Sequence, residues 1–138
     1  METRVSSATT EVIIGPDHPT VLIGERINPT GKKKLAEALK ASNLEIVRQE
    51  ALAQAQAGAD LLDVNVGTFG VDEVSLLPQA VQEVMRVVDL PLCLDSANPE
   101  ALAAALKVYK GKALINSVTG MFSSSSWKTV YLLALSSM

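Results

Sequence analysis

Four short apolar runs recur along the chain, and each runs into carboxylate, amide or hydroxyl side chains. They are Val21-Leu22-Ile23 ahead of Glu25 and Asn28, Leu61-Leu62-Asp63-Val64 ahead of Asn65, Leu92-Cys93-Leu94 ahead of Asp95 and Ser96, and Ala113-Leu114-Ile115 ahead of Asn116 and Ser117. Short, nearly continuous runs suit strands buried on both faces of a parallel sheet. The longer stretches between them carry helical periodicity, so the order reads β-α-β-α-β-α-β, with right-handed crossovers. A doubly wound sheet and a (β/α) barrel both accommodate that order. The polar residues favour the barrel, because the carboxyl ends of its parallel strands form one rim, and that rim is the active site. A lone polar residue after a strand is usually a turn or helix cap. Four in step mark a functional rim.

Helix ends are also readable. Ser42-Asn43-Leu44-Glu45 fits a capping box for a helix that stops at Gly58, with Leu44, Val47, Leu52 and Ala55 as its apolar face. Pro78 fits the first turn of a helix over residues 77–88, where its missing N–H has no partner to lose. Asn98-Pro99 opens the next helix as cap and first residue, and Gly111 closes it. Residues 1–20, broken by Gly15-Pro16 and Pro19, read as a mobile leader with at most a small capping strand.

The chain has 138 residues, enough for one domain with a real core. Apolar residues make up 48% and aromatics 4%, a balance that suits helices packed on strands. A net charge of −3 argues against nucleic acid and anionic membrane as partners, since both attract clustered Lys and Arg. No apolar stretch approaches the roughly 20 residues of a membrane span. One cysteine and no opening signal segment make a reducing cytoplasm the expected location.

Several familiar sites fail on spacing. Gly24 and Gly31-Lys32 enclose six residues rather than the four of a phosphate loop, and Lys33 stands where Ser or Thr should be. Gly67 and Gly70 make no dinucleotide fingerprint. Cys93 and His18 are too isolated for a metal set, so no bound metal is expected. Period two places Cys93 on the same side as Asp95, where it reads as a core thiol rather than a nucleophile. Lys32, Lys33 and Lys34 begin a helix and read as a solvated face, with contact to an anionic substrate tail or an acidic partner as the alternative. Trp127 and Tyr131 carry no assignment.

Taken together, Gly24-Glu25-Arg26-Ile27-Asn28-Pro29-Thr30-Gly31, Ala59-Asp60-Leu61-Leu62-Asp63-Val64-Asn65-Val66-Gly67, Leu92-Cys93-Leu94-Asp95-Ser96 and Ile115-Asn116-Ser117 closely resemble the methyltetrahydrofolate-dependent corrinoid methyltransferases, including the folate domain of cobalamin-dependent methionine synthase. The motifs occur in family order over about residues 21–120. The resemblance implies a pterin-binding (β/α) barrel truncated to about its first four βα units. It implies Asp95 and Asn116 as pterin-holding residues, Asp63 and Asn65 bordering the pterin, and Glu25 and Asn28 at the rim. It also implies transfer of the N5-methyl of methyltetrahydrofolate to the cobalamin or related corrinoid of a partner protein, with cobalt as nucleophile and no catalytic side chain named on this chain. Dihydropteroate synthases are the runner-up, because their Ser-, Asp- and Gly-rich loop after the first strand has no match in Pro29-Thr30-Gly31-Lys32. An inactive pterin-binding half-domain is the other alternative.

Beyond Gly120 the family pattern gives way to Met121-Phe122 and four serines, so residues 121–138 read as an atypical tail, with a truncated or frameshifted reading frame preferred over a genuine short variant. A half barrel exposes strand edges and an apolar interior, which predicts assembly of two copies into a closed barrel, or poor solubility.

Overall fold

The computed structural model describes residues 1–117. It opens with an antiparallel hairpin, β1 (Thr3–Ser6) and β2 (Glu11–Ile14), followed by β3 (Ile23–Ile27), α1 (Lys33–Lys40), α2 (Glu45–Gln56), β4 (Leu61–Val64), α3 (Glu73–Val87), β5 (Leu92–Asp95), α4 (Pro99–Val108) and β6 (Leu114–Asn116). Strands β3 to β6 are all parallel and lie side by side in chain order. A doubly wound sheet reverses its strand order at a switch point, whereas a barrel adds each strand beside the last. The described residues therefore form an α/β unit of the barrel type, with four of its parallel strands.

Period two sorts the side chains between two faces. Leu62, Val64, Leu92 and Leu94 point into the helical layer, where they pack with Val47, Ala51, Leu77, Val81, Val84 and Leu102, all buried. The alternate positions Ile23, Glu25, Asp63, Cys93, Leu114 and Asn116 line the opposite, interior face.

Strands β4, β5 and β6 lie within a residue of the apolar runs, but the first strand does not. It occupies Ile23–Ile27 rather than residues 21–23, and its register shifts between Gly24 and Ile27. The irregularity is held by Gln54 of α2, which is 6% exposed and accepts a bond from the Arg26 N–H at 3.0 Å. This bulge lets Glu25 face the interior while Ile27 still enters the helical core.

The helices also depart from expectation in places. Two of them, α1 and α2, join β3 to β4. The capping box does not form: Leu44 is the N-cap, Asn43 Oδ1 accepts from the Glu45 N–H at 3.1 Å, and Glu45 pairs with Arg48. Leu52 is 41% exposed, and Ala51 and Gln54 fill the inner face in its place. Helix α3 begins earlier than expected because Asp72 caps it, accepting from the Val74 N–H at 3.1 Å. Pro78 therefore sits inside α3, where it cannot donate to the Val74 carbonyl. Helix α4 begins as expected, with Asn98 Oδ1 accepting from the Glu100 N–H at 3.0 Å.

Within the segment expected to be a mobile leader, the β1–β2 hairpin is tied to the rest of the chain. Ser6 exchanges two backbone bonds with Lys112, at 2.9 and 3.1 Å, and Val5 is buried. The hydroxyls of Ser7, Thr9 and Thr10 all donate to the Asp89 carboxylate. Gly111, at φ +122°, permits the approach, since a Cβ there would lie 2.3 Å from the Ser6 carbonyl oxygen. The hairpin thus covers the amino-terminal end of the sheet, opposite the polar rim.

Tyr109 joins the two parts, donating to the Ser6 carbonyl at 2.5 Å and accepting from the Leu92 N–H at 3.1 Å. Replacing Tyr109 by Phe removes both bonds and orphans a buried backbone donor, so urea unfolding should show a loss of about 1–3 kcal/mol. An unchanged midpoint would mean that the Tyr109 hydroxyl does not couple the hairpin to the sheet.

Candidate functional site

The interior face of β3 to β6 forms a concavity of about 390 Å³ lined by Ile23, Glu25, Asp63, Cys93, Leu114, Ile115 and Asn116, with Asn116 at its carboxyl-end rim. The register explains the grouping. Asp63 of β4 lies beside Cys93 of β5, and Asp95 of β5 beside Asn116 of β6. Asp95 is half-buried and Asn116 is exposed, so the pair presents a carboxylate and an amide side by side at the mouth.

Asp63 forms the floor. It is 4% exposed, and its Oδ2 has no hydrogen-bond partner among the described residues. Burial pushes its carboxyl up to about 7, reinforced by a hydrogen bond with the Asp95 carboxyl and by the negative charges of Asp95 and Glu25, against an opposing bond from the Cys93 thiol. Burial and the Asp63 charge push the Cys93 thiol up as well. A thiol held in its protonated form is a poor nucleophile, which leaves Cys93 as a packing residue. Among the described residues no group of three or more His, Cys, Asp or Glu is placed to hold a metal ion.

The six residues singled out from sequence divide into two groups. Glu25, Asp63, Asp95 and Asn116 share the interior face of the sheet. Asn28 and Asn65 lie just outside it, shaping loops: Asn28 Oδ1 accepts from the Thr30 N–H at 3.0 Å, and Asn65 Oδ1 from the Gly67 N–H at 2.8 Å.

Two residues of this rim had no assigned role. Ser96, 2% exposed, donates its hydroxyl to Glu73 Oε1 at 2.9 Å. Gly67 leaves room for that carboxylate, since a Cβ on it would stand 3.1 Å from both Glu73 Oε1 and Asn65 Oδ1. Glycine two residues after Asn65, followed by an acid in the first turn of the next helix, was the available signal.

The family model described as "Pterin binding enzyme" matches residues 24–131. The chain belongs to the pterin-binding enzyme family. Within the family it is 39% identical over 103 residues to the methylcorrinoid:tetrahydrofolate methyltransferase of Eubacterium limosum, covering 72% of this chain and 36% of that protein. It is 34% identical over 117 residues to the methionine synthase of Mycobacterium tuberculosis, covering 85% of this chain and 10% of that protein. The chain thus spans about a third of the first relative and a tenth of the second. A dihydropteroate synthase from Xanthomonas albilineans, solved with indole-2-carboxylic acid and 6-chloroguanine, superposes with a TM-score of 0.62 at 24% identity, over 96% of this chain and 47% of its own. That likeness establishes the barrel-type fold. The chain is a pterin-binding domain related to tetrahydrofolate methyltransferases.

No helix among the described residues is long and apolar enough to cross a membrane. The tail assigned to residues 121–138 lies outside the described residues.

Proposed function

We propose that this chain holds the pterin of methyltetrahydrofolate against Asp95 and Asn116 and, as part of a closed barrel, presents the N5-methyl group to the cobalt of a corrinoid protein. The observation that carries this reading is the in-register Asp95–Asn116 pair at the carboxyl rim of a parallel sheet, above the unpartnered oxygen of Asp63. A pterin edge offers N–H donors and ring-nitrogen acceptors. A fixed carboxylate accepts two such donors, and an amide matches a donor–acceptor pair. With its carboxyl near 7, Asp63 keeps much of its proton in neutral solution and gives the floor a donor among acceptors.

In the reaction, the methyl–N5 bond breaks as the methyl–cobalt bond forms, the cobalt supplies the electron pair, and N5 takes up a proton. The chain needs no nucleophile of its own. Its contributions are orientation of the pterin and a polar setting that favours protonation of N5. The relatives named for methyl transfer between methylcorrinoid and tetrahydrofolate and for methionine synthesis support methyl-transfer chemistry over the dihydropteroate synthase alternative, the first being named for the reverse direction of the same exchange.

The test is to mix the 138-residue chain with methyltetrahydrofolate and a reduced corrinoid protein and to follow the cobalt spectrum. Formation of methyl-cobalt supports the reading. Pterin binding without transfer, in every assembly state, would leave an inactive pterin-binding half-domain.

The outer edges of β3 and β6 pair with no other strand among the described residues, and Leu22 and Ile23 are 57% and 46% exposed. Unpaired edges beside apolar surface invite association. Light scattering on the purified 138-residue chain should therefore report two copies assembled, closing the barrel between them, or aggregation. A folded, soluble monomer would contradict this.

A further inference from the structure

We infer that Ser96 and Glu73 are positioning residues for the pterin clamp, an inference that rests on the function proposed above. Ser96 follows Asp95 directly, and both its N–H and its hydroxyl are hydrogen-bonded in this junction. Its N–H donates to the Asn116 carbonyl at 2.8 Å, which ties the end of β5 to the end of β6. Its hydroxyl donates to Glu73 Oε1 at 2.9 Å and accepts from the Asn98 N–H at 3.0 Å, at the start of α4. Glu73 stands in the first turn of α3, where a carboxylate is favoured by the helix N-terminus. One buried residue thus joins four segments: it directly follows β5, its N–H holds the end of β6, and its hydroxyl holds the first turn of α3 and the N-cap of α4.

Neither Ser96 nor Glu73 lines the concavity, yet Asp95 and Asn116 are each one covalent or hydrogen-bonded step from Ser96. A clamp that must match a planar heterocycle tolerates little angular freedom, and groups that fix its orientation affect affinity without touching the ligand. The Ser96 hydroxyl is buried, so the geometry it sets is not shared with solvent.

The test compares methyltetrahydrofolate affinity in the full chain for Ser96→Ala, Glu73→Leu, Glu73→Gln and the Ser96→Ala/Glu73→Leu double variant, with thermal unfolding measured alongside. Ser96→Ala and Glu73→Leu should each weaken binding by roughly 10-fold, as loss of an orienting partner does at other preorganised sites. Glu73→Gln keeps an acceptor for the hydroxyl and should restore affinity to within about threefold of wild type, as the lost bond is remade by a neutral acceptor. The double variant should be no weaker than Ser96→Ala alone, because that variant already breaks the link to Glu73. Ser96→Ala binding within twofold of wild type, additive losses in the double variant, or Glu73→Gln as weak as Glu73→Leu would each overturn the inference while leaving the proposed function standing. A folded wild-type chain that binds no pterin would overturn both.

Discussion

Asp95→Ala is expected to abolish measurable pterin binding while leaving the chain folded. A carboxylate accepting two N–H donors makes two charge-assisted bonds, each worth about 1.5–3 kcal/mol, so their joint loss weakens binding by at least roughly 100-fold. The fold should tolerate the change. Asp95 is half-buried, and its charge works against the ionised form of Asp63, so removing it relieves the interior. Asp95→Asn should fall between, since it keeps the shape and one acceptor but sets an amide donor against a ligand donor. Calorimetric titration with methyltetrahydrofolate measures all three proteins. Wild-type affinity in Asp95→Ala would remove Asp95 from the site.

The second large effect is on stability. The Asp63 carboxyl sits near 7 in the folded chain and near 4 when unfolded, so the native state holds the extra proton between those values. Stability then falls as pH rises through that window, and above about 7 the full penalty of an ionised buried carboxylate is present. Three pKa units correspond to on the order of 4 kcal/mol. Asp63→Asn carries no proton to lose, so it should flatten the profile between about pH 4 and 7 and unfold at higher urea than wild type at about pH 8. Parallel stability profiles for the two proteins would show that Asp63 is not held near neutrality.

How much of this was legible in the sequence depended on whether a feature was local. Strands β4 and β5 were readable because they are buried between neighbours, so apolar residues run together, and β6 because its three residues follow the same short apolar run. Strand β3 was displaced because it lies at a sheet edge and is bulged: Gly24, Glu25 and Arg26 interrupt the apolar pattern, and the bond that holds them comes from Gln54, 28 residues away. The hairpin was hidden for the same reason, since Ser6 meets Lys112 and Tyr109, which local patterning does not connect.

The helix caps show the same division. Asn98-Pro99 acted locally and was legible. Ser42 takes a positive φ of 54°, and Glu45 turns to Arg48, so the capping box that the residue types allowed gave way to competing partners.

In the site, Asp95 and Asn116 could be singled out because each closes a strand, and parallel strands bring their ends together. Glu73 could not be, because its link to Ser96 crosses 23 residues and depends on the loop that Gly67 permits.

The most direct measurement is a titration of the nitrogen-15-labelled chain with methyltetrahydrofolate, followed by NMR. A pterin clamp at the carboxyl rim requires the side-chain amide of Asn116 and the backbone amides of Asp95 and Ser96 to shift together and saturably, with the β1–β2 hairpin at the far end unmoved. Shifts centred on the hairpin, or a folded chain with no saturable shifts at all, would contradict it.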